Sequence, residues 1–305
     1  MRRTLLAFSI AALVIIIWPA TALAATDPGL RSAKNFAVLA GTTVTAAIPN
    51  GPSWISGSLG VWPGSAVTGF PPSVASGAQH KGDSVAHTAQ TDLTGTYTRA
   101  MNAPCPGGNN FTGANLGGKT LVPGVYCQTT APTITGTLTL NGGGVYIFQI
   151  GSTLVTAAGA PGAPAARILL TGGAQPCEIF WQVSSSATLG TYTAFVGNVM
   201  ALASITMNNG ATLEGRALAR NGAVTLDHNR IIQPGGCGAT APAVGSPPVG
   251  NTLPLSLGFS LSIGSNGVPP ELRGEFPWLL VIGAGALVGA VALGVTGRRR
   301  RSRTN

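Results

Sequence analysis

Charge is scarce in this chain. Only 8% of its 305 residues are Asp, Glu, Lys or Arg, against about 25% in an ordinary soluble domain. Glycine, alanine, serine and threonine take their place, so the surface of any folded part must be small and hydroxylic. Histidine is rarer still, with three residues, His80, His87 and His228. No Gly-x-Ser-x-Gly elbow occurs, which removes the usual hydrolase template. The four cysteines, Cys105, Cys127, Cys177 and Cys237, show no CxxC or Cys/His spacing of a zinc site.

The net charge of +9 points away from nucleic acid once it is located. Seven of the 17 basic residues sit at the two ends: Arg2, Arg3, Arg298, Arg299, Arg300, Arg301 and Arg303. The ten that remain face eight acidic residues, and no basic patch is interleaved with aromatics. The ends themselves read as export signals. Residues 1–24 combine a charged start, an apolar run and an Ala-x-Ala site at Ala22–Ala24, the pattern of a cleaved secretory signal. Residues 278–296, WLLVIGAGALVGAVALGVT, carry no charge and reach about 28 Å as a helix, close to the bilayer core. The expected span is 277–297, and the basic tail 298–305 should stay in the cytoplasm. The expectation is therefore a single-pass cell-membrane protein with an exported N-terminal domain, residues 25–240, on a Pro/Gly/Ser-rich stalk, 241–276.

Within 25–240 one segment is helical in pattern. From His80 onward, Val85, Ala89, Leu93, Tyr97 and Ala100 form an apolar stripe, and Pro104 ends it. The rest is strand and turn, with Asn-Gly turns at 50–51, 141–142, 209–210 and 221–222. Short strands repeat a motif: GSTLVT (151–156), SATLG (186–190), SITMN (204–208) and AVTLD (223–227). Each places a Thr between apolar or small residues, so Thr153, Thr188, Thr206 and Thr225 should point outward from strands whose neighbours point inward. The last two spacings, 18 and 19 residues, suit one coil of a β-solenoid. A second class, VYIFQI, IFWQV and FVGNVMA, is apolar throughout and needs cover on both faces. A third class, RILLTG and ATLEGRA, carries charge. Three classes imply three sides: one under the helix, one bearing threonines, one mixed.

Candidate chemistry is sparse. Asp227 and His228, in the stretch RNGAVTLDHNRI, fall where a coil must turn and read as an exposed turn. His80, Asp83 and His87 could share a helix side, but a metal would need a further ligand, so no metal or cofactor is expected. Glu214 and Arg216 alternate onto the same strand face and read as a surface pair. In an exported domain the cysteines should pair. Their positions after the helix, after LVPGVY, before EIFWQV and at the last coil favour Cys105–Cys127 and Cys177–Cys237 among three connectivities.

Several blocks, FAVLAGTTVT, GSLGVWPGSAVTGFPP, TGTLTLNGGGVYIFQIGSTLVTA and the run from IFWQVSSS to VTLDHN, resemble the DUF3494 family of ice-binding proteins, over essentially all of 30–237. The resemblance implies a discontinuous, right-handed, three-sided β-helix with one helix alongside. It also implies an exported, non-enzymatic protein that attaches to ice crystals through a flat Thr-, Ser-, Ala- and Gly-rich face. A surface adhesin or structural module that turns the same face to a polysaccharide or protein partner is the alternative.

Overall fold

A computed structural model of the chain describes residues 25–235. The expected signal, stalk, membrane span and basic tail, together with Cys237, lie outside the described residues. No helix among the described residues is long and apolar enough to cross a membrane.

The described part is mostly β, with parallel pairings throughout its named strands, and one long helix, Ser84–Met101. Its strands form a seven-stranded and a fourteen-stranded sheet, the latter bent around two sides. Two eight-residue strands, Ala194–Ala201 and Thr212–Ala219, run through the bend. Gly197 adopts φ +110°, and a Cβ on its register partner Gly215 would lie 1.9 Å from the Gly197 carbonyl oxygen. Only glycine allows the two backbones to turn this corner in contact.

The corner corrects the reading of Glu214 and Arg216 as a surface pair. Glu214 stays half-exposed on one side, while Arg216, beyond the glycine, is buried on the other. Its guanidinium donates to the Lys34 carbonyl at 2.9 Å, to Asn198 Oδ1 at 2.9 Å and to the Pro234 carbonyl at 3.4 Å. Burial pushes its pKa down to about 10. Asn198 completes the link by donating to the carbonyls of Cys177 and Ile179.

The coils do not stack in chain order. Thr43–Ala47 pairs with Val224–Asp227, Phe36–Ala40 with Thr212–Ala219, and Trp54–Ser56 with Arg230–Ile232. The first coil therefore lies on the last, and the chain must travel back along the stack to build the others. The helix makes that journey. Its 18 residues reach about 27 Å at 1.5 Å each, close to six strand spacings of about 4.8 Å. Six spacings separate Gln79–Lys81 from Tyr146–Ile150 on this side.

Asp83 starts the helix by accepting from the Ala86 amide at 2.8 Å. Its buried face is Ala86, Ala89, Leu93, Thr96, Tyr97 and Ala100. Val85 was expected on that face but is 49% exposed, because the stripe starts one residue later, at Ala86. Polar contacts follow the helix along the stack: Gln90 donates to the Ala219 carbonyl, Tyr97 to Val183, and Gln149 to Ala100 at the helix end. Inside the coils, Phe111, Tyr126, Phe148, Trp181 and Phe195 stack at centroid distances of 5.8, 5.3, 4.0 and 4.9 Å.

Leu93 is fully buried in the layer between helix and sheet. Leu93→Ala should cost about 2–5 kcal/mol in urea unfolding, whereas Val85→Ala should stay within about 0.5 kcal/mol of the parent.

Candidate functional site

The seven-stranded sheet lies open to solvent. Its strands are short, and their pattern is set by alternation: in Ala187–Leu189, Ile205–Met207 and Val224–Leu226 the flanking residues are buried and the central one is not. The central residues are in register across the whole sheet. Thr133 pairs with Val155, Val155 with Thr188, Thr188 with Thr206, Thr206 with Thr225, Thr225 with Thr45, and Thr45 with Thr68. Six steps of about 4.8 Å give a rank about 29 Å long.

Three of the four expected threonines, Thr188, Thr206 and Thr225, stand in this rank. Thr153 does not. It precedes the strand Leu154–Thr156, whose outward residue is the exposed Val155. By alternation Thr153 belongs to the next rank over, about 6.6 Å away along the strand. That second rank holds Ser186, Ser204, Ala223, Thr43 and Ala66, continued by the bonds from Leu154 N to Ser186 O, Ala187 N to Ser204 O and Ile205 N to Ala223 O, and by the Thr43–Ala66 pair. Thr45, Thr68 and Thr133 lie outside the four-strand repeat that the sequence shows. The signal was present in TTVTAA (42–47) and AVTG (66–69), but chain order hides that these strands join beyond Val224–Asp227.

Neither rank contains a charged residue. Thr68 donates to Thr45 at 3.2 Å, while the hydroxyls of Thr133, Thr188, Thr206 and Thr225 make no side-chain hydrogen bond among the described residues and are left to water. The first charge is Asp227, one alternation beyond Thr225, where its Oδ2 accepts from Asn50 at 2.8 Å. The other two sides differ. One is sealed by the helix. The other exposes Trp54, Arg167, Arg230 and Leu169 around the half-buried Glu214, and is neither uniform nor uncharged.

The remaining candidates are not assembled for chemistry. His80 pairs with Asp83 at 2.7 Å, the only ion pair among the described residues, but His87 turns away to lie 4.6 Å from the Trp62 ring. Among the described residues no three His, Cys, Asp or Glu side chains are grouped to hold a metal. His228 is exposed in a left-handed turn at φ +52° beside Asp227, at the coil corner expected from sequence. Cys105 and Cys127 are joined as expected, with Cα atoms 6.3 Å apart, tying the segment after the helix to the strand Gly124–Gln128. Cys177 is also disulfide-bonded, and its expected partner, Cys237, lies outside the described residues.

A family model described as ice-binding-like matches residues 38–232, which takes in both ranks. The chain belongs to the ice-binding-like family. An ice-binding protein of Nostoc sp. (strain HG1) is 46% identical over 207 residues, covering 66% of this chain and 72% of the relative. One from Flammulina populicola is 36% identical over 231 residues, covering 69% and 90%. Among solved structures, an ice-binding protein from an Antarctic biological consortium matches with a TM-score of 0.64 at 42% identity, over 71% of this chain and 95% of that one. An ice-binding protein from the Antarctic ascomycete Antarctomyces psychrotrophicus matches with a TM-score of 0.64 at 36% identity, over 69% of this chain and 100% of that one.

The mixed side carries a testable cost. Burial raises the pKa of Glu214, which finds no ion-pair partner among the described residues. A carboxyl whose folded pKa lies above its unfolded value destabilises the fold once pH exceeds the unfolded value, and has no effect in acid. Glu214→Gln should therefore raise the melting temperature at neutral pH, and the gain should vanish well below the ordinary value of 4.5. Thermal scans across that range check the sign.

Proposed function

We propose that this protein binds ice, without catalysis, through the threonine side. The observation that carries the reading is the register: threonines at five successive positions, Thr188, Thr206, Thr225, Thr45 and Thr68, form one rank, with no charge in it or in the Ser186–Ser204 rank beside it. A charged side chain orients water around itself. A row of hydroxyls and methyls at a repeat fixed by backbone hydrogen bonds holds water in a row instead. Because the strands carry the spacing, the surface is organised before it meets a crystal, and little ordering cost remains at binding. The ice-binding relatives support the same reading.

Tyr at position 206 would raise bulk in the middle of the rank. Thr206→Tyr touches no core contact, so stability should change by no more than about 0.5 kcal/mol, while thermal hysteresis and inhibition of ice recrystallisation should be mostly lost. Arg167→Tyr, an exposed change on the mixed side, should leave both intact. Retained activity in the first variant and loss in the second would move the ice contact to the mixed side.

The same proposal places the domain outside the cell, held by residues 277–297 after removal of residues 1–24. This part rests on the sequence. A chain truncated before Pro277 should be recovered from the medium, and the full chain from membranes. Protease added to intact cells should release the domain. Full-length chain found wholly in the soluble fraction would refute the anchor.

A further inference from the structure

The corner where the threonine side meets the mixed side holds a cleft of about 380 Å³, lined by Pro52, Trp54, His228, Asn229 and Arg230. This is the size range of small-ligand sites. Trp54 is 61% exposed, the most exposed large apolar side chain among the described residues. It stands directly opposite Arg230 in the parallel register, about 4.8 Å across the ladder. The floor is rigid: Asn229 is buried, donates to the carbonyls of Asn208 and Ala211, and accepts from the Asp227 amide. Its rigidity fixes the left-handed turn that presents His228, whose ring packs over Gly51, where a Cβ would come within 3.2 Å.

The polar groups around this cleft are donors without acceptors. The Trp54 indole N–H, the Arg230 guanidinium and the His228 ring make no side-chain hydrogen bond or ion pair among the described residues. The nearby carboxylates do not supply one. Asp227 is engaged by Asn50, and Glu214 lies opposite Ile232, two residues past Arg230. An indole face beside an unpaired guanidinium suits a ligand with a flat C–H face and a carboxylate on the same unit.

We propose that this cleft binds an acidic polysaccharide through one hexuronate unit, with the sugar ring on Trp54 and the carboxylate on Arg230, assisted by His228. The site is separate from the threonine ranks and would let the protein hold an anionic matrix while its flat side is turned elsewhere.

Titration calorimetry of the purified full-length protein with trigalacturonate, maltotriose and sodium sulfate tests the proposal. Trigalacturonate should bind, with maltotriose and sulfate each weaker by about tenfold or more, since maltotriose lacks the carboxylate for Arg230 and sulfate lacks the ring face for Trp54. Trp54→Ala and Arg230→Gln should each weaken trigalacturonate by about tenfold. Trp54→Phe should recover most of the loss, and Thr206→Tyr should bind as the parent does. No binding of trigalacturonate overturns the proposal, as does binding indifferent to Trp54 and Arg230. Equal affinity for maltotriose overturns its acidic class, and equal affinity for sulfate reduces it to a simple anion contact. A dimer that depends on Trp54, with no sugar bound, would assign the patch to a second copy instead.

Discussion

Backbone hydrogen bonding between parallel strands sets the distance from each coil to the next, and the other features of this domain inherit that distance. It fixes the repeat of the outward threonines, the stacking of one aromatic ring on the next inside the coils, and the length of helix needed to return along the outside. The return is unavoidable because the first coil is laid on the last. A helix rises 1.5 Å per residue and a coil stack about 4.8 Å per coil, so roughly three helical residues pass each coil. This is why Gln90, Tyr97 and Ala100 meet carbonyls or side chains of coils successively farther along the stack, two coils and then one coil apart, and why the helix runs to 18 residues.

Low charge has a structural consequence as well as a surface one. Few ion pairs are available to hold the coils in place, so neutral groups and one buried cation do so at the corners. Arg216 is held by two backbone carbonyls and the Asn198 amide oxygen. Burial disfavours its charge, yet the three acceptors repay part of that cost. Asn229 plays a comparable part at the corner on the other edge of the mixed side using only neutral partners. Charge is thus kept to the corners, the mixed side and the helix, and the threonine side is left clear.

Much of this was legible in the sequence because strand alternation and coil length are local properties. The three sides, the helix and the outward Thr188, Thr206 and Thr225 follow from period and pattern alone. What was not legible depended on contacts between residues far apart in the chain. Thr153 and Val155 are both candidate outward residues, since alternation allows either, and only pairing with Ala187 and Thr188 decides between them. Val85 fails for a different reason: a spacing of four drifts around the helix by about 40° per step, so a stripe read at fours leaves the buried face at its end. Glu214 and Arg216 obey alternation up to Gly215, where the strand bends and the rule stops applying.

Discontinuity also lengthens the unbroken threonine run in a way that a continuous solenoid of the same chain would not. Had the coils stacked in chain order, Thr45 and Thr68 would lie beyond Thr133, next to strands whose outward residues are less uniform. Placing Thr43–Ala47 on Val224–Asp227 instead puts them beside Thr225, so the uninterrupted threonine run grows from three positions to five. Val155 then falls near one end of the rank rather than in its middle. The order of stacking thus sets the length of the unbroken run as much as the number of threonines does. The long helix is the structural cost of that order.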